Sequence, residues 1–271
     1  MQTDMTVGKP MKMILDFTIP VFIGNVFQQF YNMADAIIVG KFVGTKGLAA
    51  VGSTGTIMFL IIGFLMGLTA GFTVLTSQKF GAGKMDEMRQ SVGNAAILSI
   101  IISVIMTAVS MVGMHSLLTL MHTPEDIFQD AYTYIMIICG GIFAQVLYNI
   151  LASILRALGN SKVPLYFLIL SAMLNIVLDL VFIIVFKLGT PGAAWATIIS
   201  QGVSGVLCLI YIWKFVPELR MKKEDWYFRR GLAFKQIGVG IPMGLQYSIT
   251  AIGTMMLSLI HISEPTRPLY I

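Results

Sequence analysis

The segment that decides the fold is Ser171–Phe186, which reads SAMLNIVLDLVFIIVF. Most of its side chains are apolar, as in a helix that crosses a lipid bilayer. Asn175 and Asp179 interrupt this run four residues apart, so they share one face of the helix. An Asp at the centre of a membrane helix costs roughly 2.5–3.5 kcal/mol on insertion scales. The segment therefore predicts a membrane helix whose acid has a function.

The composition of the whole chain is that of a membrane protein. Of its 271 residues, 56% are hydrophobic and only 11% are charged, with a mean hydropathy of +0.83. A soluble domain has about 25% charged residues. The net charge of +5 could indicate nucleic acid, but the basic residues lie in loops beside apolar runs. We therefore expect the lipid bilayer as a partner, no nucleic acid and no cofactor.

The apolar runs predict an all-α membrane protein, because a spanning helix needs about 20 largely apolar residues. Six runs meet this length, and a seventh begins near residue 236; the six are 14–39, 48–75, 92–114, 131–155, 164–187 and 192–215. The prediction is a six-transmembrane-helix bundle followed by a truncated seventh helix. The corresponding parts are a six-helix lobe (1–216), a cytoplasmic basic linker (217–235), the start of helix 7 in a second lobe (236–256) and a non-native tail (257–271).

Lysine and arginine predict the orientation, since cytoplasmic loops carry the excess of positive charge. With the N-terminus inside, the cytoplasmic segments hold fourteen, namely Lys9, Lys12, Lys79, Lys84, Arg89, Arg156, Lys162, Lys214, Arg220, Lys222, Lys223, Arg229, Arg230 and Lys235. The outside segments hold three, namely Lys41, Lys46 and Lys187. We therefore expect a multi-pass protein of the plasma (inner) membrane with a cytoplasmic N-terminus.

Two further patterns concern the ends of the chain. KMILDFTIP (Lys12–Pro20) and FKQIGVGIP (Phe234–Pro242) place Lys and then Ile-Pro at equivalent positions, which suggests a second lobe that repeats the first, as in many transporters. The run Leu257–Arg267, LSLIHISEPTR, resembles one reading frame of a transposon-end adapter used to prepare DNA sequencing libraries. The alternative is a genuine short polar C-terminus.

Polar stripes run along three of the predicted helices. In lipid such stripes must face other protein or a water-filled cavity. Those at regular helical spacing are Asn25, Gln28, Asn32 and Asp35 on the first helix, Ser171, Asn175 and Asp179 on the fifth, and Thr197, Ser200 or Gln201, and Ser204 on the sixth. Interhelical packing explains the hydroxyls and amides equally well. As candidates for lining a cavity we take Asn25, Gln28, Asn32, Tyr31, Tyr148 and Gln201.

The two acids within the spans, Asp35 and Asp179, call for a different explanation. Interhelical hydrogen bonds average only about 0.6 kcal/mol, so packing alone is a poor reason to keep them. Desolvation and a neighbouring carboxylate both favour the protonated form of an acid, which suits uptake and release of a proton. Carboxylate, amide and hydroxyl oxygens also suit a small hard cation such as Na⁺. Pro20 would bend or hinge the first helix, unless it simply marks the helix entry.

The chain resembles multidrug and toxic compound extrusion (MATE) transporters. The resemblance lies in TIPVFIGNVFQQFYNMADAIIVGKFVGTKGLAAVG (Thr18–Gly52), RALGNSKVP (Arg156–Pro164), LNIVLDLVFI and GAAWATIISQ, and it spans Lys12 to about Met256. It implies one lobe of a twelve-helix transporter that exports small organic cations in exchange for H⁺ or Na⁺. It also implies that Asp35, Asn175, Asp179 and Thr197 form the cation site of the N-terminal lobe. Most of the second lobe is missing, so the chain alone is expected to be inactive.

Three alternatives remain at this point. A lipid-linked precursor flippase of the same superfamily would need a cationic cavity, and the predicted spans offer no basic residue to line one. An intramembrane aspartyl protease also uses two membrane acids, but resembles Tyr-Asp and Gly-x-Gly-Asp motifs, whereas here Asp35 follows Ala34 and Asp179 follows Leu178. A channel or an inert scaffold would show no proton-coupled export. We therefore expect a transporter and not an enzyme.

Overall fold

The computed structural model describes the backbone of residues 10–263 and the side chains of residues 11–250. Within this range the regular structure is helical throughout, which confirms the predicted all-α class. The α-helices are α1 (Pro10–Phe42), α2 (Thr45–Gly81), α3 (Met85–Leu120), α4 (Glu125–Gly140), α5 (Ile142–Ala157), α6 (Lys162–Leu180), α7 (Thr190–Phe215) and α8 (Arg230–Ser263). Five are long and apolar enough to cross a membrane, and α4 with α5 makes a sixth span if the bent pair is counted as one.

The fourth predicted span is divided into α4 and α5, which meet at an angle of 48°. The break falls at the adjacent residues Gly140 and Gly141, a common position for a sharp kink. α7 packs closely against it, because a Cβ atom on Gly141 would lie 2.3 Å from Cγ1 of Ile198. The bend therefore lets α7 enter the bundle and approach α5.

A tight reversal joins α6 to α7. A π-helical turn, Val181–Val185, follows α6 directly after Asp179 and Leu180, and such turns are frequent at functional sites. Lys187 and Gly189 then adopt positive φ angles of 54° and 64°, and α7 begins at Thr190. Only a few residues separate the two helices, so α7 returns antiparallel to α6 and faces its polar residues.

Glycines bring α8 against α2 with little space between the two backbones. A Cβ atom on Gly71 would lie 2.4 Å from the Cα atom of Gly240, and one on Gly67 would lie 2.6 Å from the Cα atom of Gly244. Small residues spaced four apart on both helices allow this approach, as is common between membrane helices.

A buried amide holds α8 at the end nearest the linker. Gln236 is fully buried, and its Nε2 donates to the backbone oxygens of Phe72 (3.1 Å) and Ser91 (2.9 Å). Its Oε1 accepts from Nδ2 of Asn94 at 2.8 Å, and Oδ1 of Asn94 accepts from the backbone N–H of Arg229 at 3.0 Å. Every polar atom of this group has a partner, so α8 is fixed to α2 and α3.

The linker and the seventh helix differ from the predicted bounds. Two 3₁₀ turns, Pro217–Leu219 and Lys223–Trp226, lie in the linker, and α8 already begins at Arg230 rather than near residue 236. The early start follows from Ala233, which is buried in the core while the basic residues around it stay exposed. α8 also continues past Met256 to Ser263. Residues 264–271 lie outside the described part, and the non-native origin of the tail stays a prediction.

We expect Gly71→Ala to destabilise the chain, because the new methyl group would overlap the backbone of α8. Overpacking of this kind costs about 1–3 kcal/mol. The matched control is Gly55→Ala on the same helix, where a Cβ atom would meet nothing within 4 Å. Melting temperatures of the detergent-solubilised chain should fall for the first variant and stay or rise for the second. Equal melting temperatures would contradict the close contact between α2 and α8.

Candidate functional site

Three helices bring the predicted polar residues together. α6 presents Asn175 and Asp179, both with 0% exposure, and α7 presents Thr197, which is 4% exposed. α1 supplies Asp35, which is half-buried and neighbours Asp179. The structure therefore places these four residues near one another, and we call them, together with Tyr31, the acidic cluster. Their role as a cation site stays a prediction.

The hydroxyl of Thr197 joins the three helices. Its Oγ1 accepts hydrogen bonds from the hydroxyl of Tyr31 on α1 (3.3 Å) and from Nδ2 of Asn175 on α6 (3.4 Å). The same hydroxyl donates to the backbone oxygen of Ala193 at 3.0 Å. The hydrogen bond to Thr197 engages the amide nitrogen of Asn175, and the amide oxygen has no hydrogen-bond partner among the described residues.

Four oxygens of the acidic cluster accept no hydrogen bond. Oδ1 of Asp35, Oδ1 of Asn175 and both carboxylate oxygens of Asp179 are buried and accept no hydrogen bond within the described structure. No lysine or arginine among the described residues pairs with either acid. A buried acceptor without a donor costs about 1–3 kcal/mol, and more if it is charged. Such a group of oxygens is suited to hold a proton or a small hard cation.

A polar cleft lies beside the cluster, between α1, α5, α6 and α7. It has a volume of about 80 Å³, room for a few water molecules, and Ile62 and Met66 of α2 also line it. Its lining includes the predicted residues Pro20, Asn25, Gln28, Tyr148 and Gln201. A narrower space, lined by Gln28, Gln201 and Tyr31, lies between this cleft and the acidic cluster. Five of the six predicted cavity residues therefore line these two spaces.

Asn32 and Pro20 are the remaining predicted residues, and both lie on α1. Asn32 is exposed on α1 and lines neither space, because the stripe on α1 is wider than the face that α6 covers. Pro20 lies inside α1, which begins ten residues earlier at Pro10. It is therefore well past the helix entry, and its role as a hinge stays a prediction.

The cleft also contains polar residues that were not predicted to line it. Arg156 falls in the last turn of α5 and lines the cleft, so the expectation that no basic residue reaches the cavity was wrong. The error arose because the predicted span stopped one residue short of Arg156. Gln145 and Asn149 line the cleft too. Asn149 follows Gln145 by four residues, and Arg156 follows Asn149 by seven, so the three side chains share one face of the helix. This spacing could have predicted that they line the same cleft.

Membrane-length helices with a polar cleft and buried acids are typical of membrane transporters. The sequence model of the MatE family matches residues 20–181, more than half of the chain. The chain belongs to the MatE family, whose members are transporters and not enzymes. The aspartyl protease alternative is thereby excluded.

Known proteins and solved structures are similar to this chain over about half of their own length. The chain is 33% identical over 254 residues to the probable multidrug resistance protein YpnP of Bacillus subtilis, covering 93% of this chain and 56% of that protein. It is 26% identical over 259 residues to the probable multidrug resistance protein NorM of Thermotoga maritima, covering 90% and 53%. A MOP superfamily transporter from Pyrococcus furiosus superimposes with a TM-score of 0.86 at 29% identity, covering 94% and 56%. The chain thus spans about half the length of these relatives.

Two buried aspartates with opposite surroundings provide a test of the cluster. Asp225 accepts from the backbone N–H of Lys222 (2.8 Å) and lies 3.6 Å from Nε of Arg89, whereas both oxygens of Asp179 are unpaired. We expect Asp179→Asn to raise the melting temperature of the solubilised chain by roughly 2–6 °C in sodium-free buffer, because it replaces one of two unpaired buried acceptors with an amide donor and removes the negative charge.

The matched variant Asp225→Asn should lower the melting temperature, since it breaks an ion pair and weakens a hydrogen bond. If Asp179→Asn lowered the melting temperature as much as Asp225→Asn does, the oxygens of Asp179 would have structural partners.

Proposed function

We propose that the protein is the N-terminal lobe of an antiporter that exports small organic cations across the plasma membrane in exchange for H⁺ or Na⁺. The observation that carries this proposal is the acidic cluster, in which four buried oxygens from Asp35, Asn175 and Asp179 accept no hydrogen bond. A proton or a sodium ion satisfies these oxygens when it is bound. When it leaves, the cluster regains its negative charge.

The coupling follows from where the two acids stand. Asp35 is on α1 and Asp179 is on α6, so two ionised carboxylates repel each other across the contact between these helices. A bound H⁺ or Na⁺ removes this repulsion and draws α1 towards α6. Tyr31 and Thr197 form the hydrogen bond that ties α1 to α7 at 3.3 Å, and it would tighten or break with this movement. Pro20, which lacks a backbone N–H, is the position where α1 would bend.

Cargo exchange needs the second lobe. The cleft of about 80 Å³ is far below the roughly 300–1,000 Å³ of a drug-sized pocket. Transporters of this architecture hold their cargo between two repeats that rock about a shared site. We therefore place the organic cation between this lobe and its missing partner, where the cluster's negative charge attracts it. The chain on its own should not transport.

The distribution of lysine and arginine supports the orientation, since fourteen lie in the segments assigned to the cytoplasm and three outside. The N-terminus and the linker would then both be cytoplasmic.

A flippase for a lipid-linked precursor is the second candidate, and Arg156 in the cleft is the observation that favours it. A single guanidinium is a weak counterion for a pyrophosphate. The acidic cluster would have no role in holding an anionic cargo, so cation export explains the cluster better. A channel or an inert scaffold would leave the paired acids without a role.

The export activity is testable in cells that carry a two-lobe transporter with this sequence as its first half. We expect lower accumulation of a cationic dye than in cells without it, and Asp179→Asn should abolish the difference because the coupling ion loses its binding group. The measurement is dye fluorescence per cell, normalised to the transporter in the membrane fraction. Asp130→Asn, an exposed acid on α4, serves as the matched control and should export normally.

Proteoliposomes then separate the two coupling ions. A pH gradient and a sodium gradient are imposed in turn, and dye movement is followed under each. Export by Asp179→Asn at the wild-type rate under either gradient would refute the assigned role.

A further inference from the structure

An apolar groove lies on the surface of the bundle, between α3, α5 and α7. It has a volume of about 640 Å³, and apart from Ser99 and Arg220 its lining is apolar or aromatic. Phe143 at the start of α5 and Ile154 near its end both line it, so the groove extends about 16 Å along this helix at 1.5 Å per residue. The hydrocarbon core of a bilayer is roughly 30 Å thick. The groove therefore has about the length of one leaflet.

The groove faces away from the polar cleft and from α8. On α5, Leu147 and Ile154 line the groove whereas Gln145 and Asn149 line the cleft, and the helical repeat places the two pairs on opposite faces. α8, which begins the second lobe in the proposed function, packs through glycines against α2, and α2 does not line the groove. The second lobe would therefore meet the bundle on other faces, and this face is left to lipid.

The rim of the groove combines a cation with exposed tryptophans. Arg220 is exposed and forms no ion pair among the side chains of residues 11–250. Trp213, close to the end of α7, and Trp226 of the linker also line the groove and are 78% and 49% exposed. Tryptophan is enriched where a membrane meets water, and an excess of lysine and arginine marks the cytoplasmic side. In the proposed orientation the rim therefore lies among the headgroups of the cytoplasmic leaflet.

Buried contacts on either side hold Arg220 and Trp226 at the rim. Leu219, which precedes Arg220, is buried and belongs to the hydrophobic core. Asp225, which precedes Trp226, is also buried, and its Oδ2 lies 3.6 Å from Nε of Arg89 on α3. The linker is therefore fixed to the bundle at both places, and the cation has a defined position above the groove.

We propose that this groove binds an anionic phospholipid of the cytoplasmic leaflet, with one acyl chain between α3, α5 and α7 and the phosphate at Arg220. The planar fork of a guanidinium matches phosphate oxygens in a bidentate pair. Basic residues beside a membrane helix attract anionic headgroups, which are abundant in the cytoplasmic leaflet. A bound lipid would join the linker to three helices of the lobe. The inference rests on the proposed orientation and not on the coupling ion or the cargo.

Ordinary contact with the bilayer predicts a different outcome. Any lipid chain can fill an apolar groove, and in that case the headgroup makes no difference. Exposed basic residues also attract an anionic leaflet without forming a site, and in that case each basic residue of the linker contributes alike. A lipid site requires both the headgroup at one particular residue and the chain in the groove.

The test counts lipids bound to the purified, detergent-solubilised chain by native mass spectrometry. The lipids are dioleoyl phosphatidylglycerol and dioleoyl phosphatidylcholine, which differ only in the headgroup. We expect the first phosphatidylglycerol to bind more tightly than the first phosphatidylcholine. Arg220→Gln should weaken phosphatidylglycerol binding roughly fivefold to tenfold, the effect of losing one basic contact, and leave phosphatidylcholine unchanged. Ala96→Phe, which places a ring in the groove, should weaken the binding of both lipids.

Arg230→Gln removes an exposed basic residue outside the groove, so it is the matched control and should bind both lipids as the wild type does. Leu209→Trp, at an exposed position of the same groove, replaces Ala96→Phe if that variant does not fold. Equal affinity of the wild type for the two lipids, or equal losses in Arg220→Gln and Arg230→Gln, would overturn the site. So would displacement of phosphatidylglycerol by excess inorganic phosphate, or its undiminished binding to the variant with the filled groove.

Discussion

The proposed role of this lobe depends on the free-energy cost of burying oxygen atoms that have no hydrogen-bond donor. Asp179 accepts no hydrogen bond at either carboxylate oxygen, although it is fully buried, and the free oxygens of Asp35 and Asn175 lie in the same cluster. In a protein interior such groups are kept only where something else satisfies them. In the proposed function, this partner is the coupling ion. The π-helical turn after α6 and the short reversal into α7 hold Thr197 against Asn175 and leave the acids free.

The lobe contains two kinds of buried polar group, and the difference explains which parts stay fixed. Around Gln236 every donor and acceptor is paired, and glycines bring the backbones of α2 and α8 into contact. That region behaves as one body. α1 exposes much of its apolar surface, with Phe22 at 64% and Phe30 at 58%, as a helix that faces lipid does. In the proposed function, α1 is the helix that responds to the charge of the cluster, because it carries Asp35.

Much of this could be predicted from the sequence, and the exceptions have physical causes. The lengths of the apolar runs predict the membrane helices, and the spacing of Asn175 and Asp179 predicts that they share a face. The hydrogen bond from Asn175 to Thr197 depends on the register of α6 against α7, which the turn at Gly189 sets and no local pattern reveals. Arg156 was assigned to a loop because hydropathy falls at the end of α5. Its spacing from Gln145 and Asn149 would have predicted that it lines the cleft. Hydropathy alone does not, because it carries no information about the direction of a side chain at the end of a helix.

The central claim is that Asp35 and Asp179 exchange a small cation. Infrared difference spectroscopy tests it most directly, because protonated and ionised carboxyl groups absorb at separate frequencies. Spectra of the chain in lipid nanodiscs would be recorded as pH or sodium concentration is changed. The account predicts a carboxyl signal that disappears in Asp179→Asn and changes in Asp35→Asn. A carboxyl region identical in wild type and both variants, under both changes of solution, would contradict it.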